Sequence, residues 1–144
     1  MHIKEQARIL FLEKKYNCCQ AVVCAYCQKK GISEKEVYRL AEAFGGGMGG
    51  MQDTCGAVTG MLMALGLQIS AGDPSEPRKS KGATYEAVQK AADSFRAACG
   101  SLYCREIKSR EEGKPVVSCV QCVETAAEYL DEYLNALDVS NQKE

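Results

Sequence analysis

The sequence predicts an all-α protein: a single bundle of about six helices with a glycine-rich loop between the third and the fourth. Three observations point there. Apolar residues recur at helical spacing nearly throughout, while alternating β-branched runs are scarce. Good capping residues (Asn17, Asp53 or Thr54, and Ser118) stand just before these stretches. Glycines such as Gly31 and Gly100 stand just after them.

The elements follow in order. Helix one is expected over Ile3 to Lys15, with Ile3, Ala7, Leu10 and Phe11 inward. Helix two opens at the Asn17 cap and runs to Lys30, where Gly31 stops it. Ser33-Glu34-Lys35-Glu36 reads as a capping box for helix three, which continues through Phe44. The run Gly45-Gly46-Gly47-Met48-Gly49-Gly50 then breaks the chain. Helix four starts after Asp53 or Thr54, turns Ala57, Val58, Met61, Leu62 and Leu65 inward, and ends near Gly66. Ser70 to Gly82, with Pro74 and Pro77, reads as an exposed loop. Helix five covers Ala83 to Cys99. A short turn holds Tyr103 to Ile107, and Lys108 to Lys114 forms a second loop closed by Pro115. Ser118 caps the last helix, which reaches Leu137, and the tail from Ser140 to Glu144 is expected to fray.

A chain of 144 residues is the size of one domain. The net charge of −1 and the absence of a basic stripe argue against a nucleic-acid partner. No apolar run approaches the ~20 residues of a membrane span, and Met1 to Gln6 lacks the apolar core of a secretory signal. The expected location is therefore the cytoplasm, where thiols stay reduced.

That expectation gives weight to the nine cysteines. An odd count cannot form a fully paired disulfide framework within one chain. Cys18, Cys55 and Cys119 all fall at predicted helix starts, where unpaired N–H groups and the helix dipole favour a thiolate. Cys104 lies on a turn suited to presenting a side chain. Cys19 and Cys122 are close companions. Cys24 and Cys27 fall mid-helix and read as packing. So does Cys99, in a last turn where the dipole has the wrong sign.

The glycine run contains a formal G-x-G-x-x-G, but a helix rather than a strand precedes it, so a dinucleotide site is rejected. Gly45, Gly46, Gly47 and Gly49, with Gly56, still form candidate cofactor-binding backbone whose N–H groups can meet an anion or a sulfur. A plain helix connector is nearly as good a reading. Gly56 and Gly60, four apart in a helix, suggest close approach of a neighbour.

Several segments occur together: Tyr16-Asn17-Cys18-Cys19-Gln20-Ala21-Val22, Phe44 to Gly49, Thr54-Cys55-Gly56-Ala57-Val58-Thr59-Gly60 with Leu65-Gly66-Leu67, then Cys104-Arg105-Glu106 and the Cys119 helix. In them the chain resembles the redox-active protein family named for its C–GCAxxG–C–C cysteine pattern. It reads Cys-Gly-Ala where that name has Gly-Cys-Ala. The resemblance implies Cys18, Cys55, Cys104 and Cys119 as the active set, with Cys119 preferred over Cys122 as the last cysteine. It implies either a redox role or a cysteine-bound iron–sulfur centre.

Three functions remain open on the sequence. The first is a thiol redox protein cycling between dithiol and disulfide with an unidentified redox partner. The second is a metal module in which the same four thiols hold an iron–sulfur cluster or zinc. The third is a structural helical domain, for which the exposed last helix permits a homodimer. Hydrolytic cysteine catalysis ranks below these, because the one histidine, His2, lies at the N-terminus.

Overall fold

The computed structural model describes residues 1–109 and 117–142. The helices are α1 (Ile3–Leu12), α2 (Cys18–Lys30), α3 (Lys35–Glu42), α4 (Gly56–Ile69), α5 (Lys81–Cys99), the short α6 (Cys104–Lys108) and α7 (Cys119–Gln142). Gly45–Met48 makes one further helix-like turn, but Gly46 and Gly47 sit at φ of 63° and 73°, so we describe it as part of the glycine loop. The all-α expectation holds among the described residues, with the glycine loop between α3 and α4. No helix there is long and apolar enough to cross a membrane.

α2 is the central element. Cys19 through Cys27 are all buried, because α1, α3, α4 and α7 cover it on different sides. This explains why Cys24 and Cys27 pack as small apolar residues. Burial pushes the Cys24 thiol up to about 12, with Glu34 adding to the effect. The folded pKa lies above that of an unfolded thiol, so this contribution to stability is complete below pH ~9 and is lost as pH rises toward ~12. In reducing buffer, Tm is therefore expected to fall across that window. Cys24→Ala should lower the plateau but flatten the slope, and an unchanged slope would remove Cys24 as its cause.

Several boundaries differ from the sequence expectation, each for a local reason. α1 ends at Leu12, and the chain turns away before Lys15, which has φ of 62°. Asn17 caps α2 as expected, in a reciprocal box with Gln20. Ser33 does not cap α3. Glu34 occupies the N-cap position without a side-chain bond, its carboxylate instead accepting from Gln28 Nε2 at 2.8 Å. α3 stops at Glu42 rather than Phe44, and the Asn17 amide donates to the Glu42 carbonyl at 3.1 Å. α4 begins with Cys55 itself as N-cap and continues beyond Gly66 to Ile69. α5 starts at Lys81, slightly early. The expected Tyr103–Ile107 turn is the helix α6. Ser118 and Gln121 cap α7 reciprocally, at 3.2 and 2.8 Å, and α7 runs past Leu137 through the first part of the expected tail. Most of the expected loop up to Pro115 lies outside the described residues.

The N-terminus of α1 is capped from far along the chain. Asp131 of α7 accepts from the Ile3 and Lys4 N–H groups at 2.8 and 3.0 Å. Asp131→Ala is expected to cost about 1–2 kcal/mol, read as a lower denaturant midpoint at constant m. An unshifted midpoint would show that water replaces the cap without loss.

Candidate functional site

Two chain segments, distant in sequence, are joined by main-chain bonds next to the glycine loop. Thr54 and Tyr103 form an isolated antiparallel bridge. The Cys55 N–H donates to Leu102 at 2.8 Å, Cys104 to Asp53 at 2.6 Å, and Arg105 to Gln52 at 3.1 Å. This pairing fixes Cys55 as the N-cap of α4 and places Cys104 at the start of α6 beside it. Cys18 begins α2 and Cys119 begins α7. Each of these four cysteines therefore sits at or just before a helix N-terminus, with Cys55 one position earlier than the sequence suggested.

Glycines let the elements come this close. A Cβ on Gly47 would lie 2.7 Å from the Cys104 Cβ and 2.8 Å from the Asp53 nitrogen, and Gly47 has φ of 73°. A Cβ on Gly56 would stand 3.1 Å from the Cys18 Cβ and 3.0 Å from the Phe44 carbonyl.

Cys18, Cys55, Cys104, Cys119 and Cys122 line one cleft of about 30 Å³. Gly46, Gly47, Gly56, Ile107, Lys108 and Val117 complete its wall. The four sequence candidates thus meet in one place, and Cys122 joins them. Of the candidate glycines, Gly46, Gly47 and Gly56 face the cleft. Gly45 instead packs on the Asn17 side chain, and Gly49 against the Ala43 carbonyl. Cys19 points away, its thiol 3.7 Å from the Met63 sulfur.

The thiols are not equivalent. Burial, then the neighbouring Cys55 and Cys119, push Cys18 up to about 12. Cys55 moves the other way, down to about 7. Its largest cause is hydrogen bonding from the Cys122 thiol, followed, against the opposing effect of burial, by the Ala57 and Val58 N–H groups at the start of α4 and by Lys108. Those two amides point toward the sulfur without closing a regular side-chain cap. Cys122 is raised because it keeps its proton between two acceptors, Cys55 and Cys99. Burial raises Cys104, and Lys108 partly offsets this. Lys108 is itself raised, first by Cys119 and then by Cys104.

Two participants were missed in the sequence. Cys99 reads as core, and it is buried outside the cleft, yet hydrogen bonding with the Cys122 thiol lowers its pKa. Nothing local to Cys99 signals that neighbour. Lys108 reads as the start of a loop. Its spacing of four from Cys104 on a helix was the available clue.

The fit of a metal can be judged from the same geometry. Among the described residues, no three His, Cys, Asp or Glu side chains are arranged to hold a metal ion. In this arrangement the described residues present no assembled ligand set for a zinc ion or an iron–sulfur cluster.

A helical bundle that gathers free thiols from separate helix starts around one small cleft defines a cysteine-site helical protein. The chain belongs to the C_GCAxxG_C_C family, described as "putative redox-active protein", whose model matches residues 16–133. No curated protein and no solved structure matches the chain.

Proposed function

We propose that this is a thiol redox protein in which Cys55 is the attacking thiolate and Cys122 its first resolving partner. The observation that carries the reading is the convergence of five cysteines, from α2, α6, α7 and the N-cap of α4, on one cleft. Within it, Cys55 is the thiol with the most support for its ionised form. Cys55 attacks an external disulfide, forming a mixed disulfide and releasing one thiolate. Cys122 then gives up its proton and attacks the Cys55 sulfur, closing an intramolecular disulfide and releasing the second thiolate. Two protein thiols are oxidised and one disulfide is reduced to two thiols, so electrons and protons balance. Cys18, Cys104 and Cys119 supply further pairing partners in the same cleft. Free thiols in odd number suit a reducing compartment such as the cytoplasm.

Mild oxidation of the folded protein with a small disulfide tests this. Thiol counting should show the loss of two thiols, and peptide mapping should place the bond at Cys55–Cys122. Cys55→Ser and Cys122→Ser should each prevent that bond. A folded wild-type protein that keeps all nine thiols would overturn the reading. Stoichiometric iron, zinc or sulfide after anaerobic purification would select the metal reading instead.

A further inference from the structure

Among the described residues that line the cleft, Lys108 is the one basic side chain and no carboxylate joins it. Its place there follows from how α6 is held. The Cys104 and Arg105 N–H groups are tied to the Asp53 and Gln52 carbonyls, which sets the helix against the glycine loop. Ile107 and Lys108 follow Cys104 at i+3 and i+4, so all three share one helix face. Cys104 and Ile107 are buried, whereas Lys108 is exposed. Its stem therefore lies along the cleft wall and its ammonium stands at the mouth. The other charges of α6 are engaged elsewhere. Arg105 pairs with Asp53 at 4.0 Å, and Glu106 accepts from the Ser101 hydroxyl. The Cys119 and Cys104 thiols raise the pKa of Lys108, in agreement with an ammonium that faces the sulfurs.

We propose that Lys108 selects the substrate of the cleft, and that the class it selects is a disulfide with a carboxylate close to its sulfurs. This deepens the redox reading of the cleft and rests on it. The ammonium is a compact point charge, so at the mouth it meets one negative group of an entering molecule. The chemical step keeps its form. Cys55 attacks, the external S–S bond breaks, one half stays on the Cys55 sulfur as a mixed disulfide, and the other leaves as a thiolate that takes a proton from solvent. Lys108 pairs with the carboxylate of the entering half and so brings its sulfur within reach of Cys55. A cationic disulfide is repelled at the same point, and a neutral one is neither drawn nor repelled.

Three small disulfides of different charge test this: dithiodipropionic acid (anionic), hydroxyethyl disulfide (neutral) and cystamine (cationic). The rate of Cys55 oxidation by each, read by mass spectrometry, is divided by the same reagent's rate with free mercaptoethanol, which removes its intrinsic reactivity. In the wild type the anionic reagent should then exceed the neutral one roughly twofold to fivefold, the range of an exposed ion pair, and exceed the cationic one by more. Raising the salt to ~1 M should shrink that preference. Lys108→Met should bring the three rates together, Lys108→Arg should keep their order, and Lys108→Glu should invert it. Any support that Lys108 gives the Cys55 thiolate acts on all three rates alike and cancels in the ratios. Ratios that are the same in wild type and Lys108→Met overturn the selection while Cys55 still reacts, and the redox reading stands. Failure of all three reagents to oxidise Cys55 overturns the redox reading, and the selection with it.

Discussion

Replacing Cys55 by serine is expected to remove the fast phase of thiol alkylation at neutral pH. A thiol held near 7 is about half ionised at pH 7, against a few per cent for an ordinary one. Cys18, Cys19, Cys24, Cys104 and Cys122 are all raised instead. The initial rate with iodoacetamide should therefore drop about tenfold or more. Cys99, also lowered, is the expected source of the residual reaction. In the wild type the fast phase should decline as pH falls through about 7. Stability carries the same signature. The folded pKa lies below that of an unfolded thiol, so ionised Cys55 contributes fully above pH ~9, and the contribution is gone once pH has fallen through ~7. The Tm gap between wild type and Cys55→Ser should accordingly be larger at pH 9 than at pH 6. An unaltered alkylation rate in Cys55→Ser would assign the reactive thiol elsewhere.

The second large effect concerns Gly47→Ala. Its φ of 73° lies in the left-handed region, where a Cβ costs about 1–2 kcal/mol. The new methyl would also stand 2.7 Å from the Cys104 Cβ and 2.8 Å from both the Asp53 nitrogen and the Gln52 Cα. Two of those three atoms are main chain, and Cys104 is pinned to Asp53 through its own N–H. None can retreat alone, and overpacking of this kind costs about 1–3 kcal/mol more. The sum, about 2–5 kcal/mol, implies a fall in Tm of roughly 10 °C. Gly46→Ala separates the two causes. Gly46 has φ of 63° but nothing within 4 Å of its Cβ, so it should show the conformational cost alone. Equal losses in the two variants would mean that the contact with Cys104 carries no weight.

What was legible in the sequence was local. Asn17 and Gln20, three residues apart, close their box without help from elsewhere, and Ser118 with Gln121 does the same. Because Cys18 and Cys119 are tied to those caps, their helix-start positions could be read. Cys55 was harder: its place as N-cap depends on the Leu102 carbonyl, which no nearby spacing reveals. Ser33 looked like a cap, yet the side chain facing Glu34 is Gln28 from the preceding helix. The α1 cap lies in α7, at Asp131. Among the glycines, Gly56 could be read because its spacing from Gly60 signals close packing. The division of labour inside the run from Gly45 to Gly50 required the three-dimensional neighbours.

The bridge between residues 52–55 and 102–105 has a consequence for how the surface around the cleft can vary. Cys55 and Cys104 are registered against each other by amides and carbonyls, groups that every non-proline residue provides. The side chains of Gln52, Tyr103 and Arg105 on those segments are exposed, and only Arg105 adds to that registration, through one bond to the Gln52 carbonyl and an ion pair with Asp53 at 4.0 Å. The exposed side chains of Gln52 and Tyr103 can therefore change while the sulfurs keep their places. The molecule thus fixes its sulfurs through main chain and leaves the side chains around them free to vary.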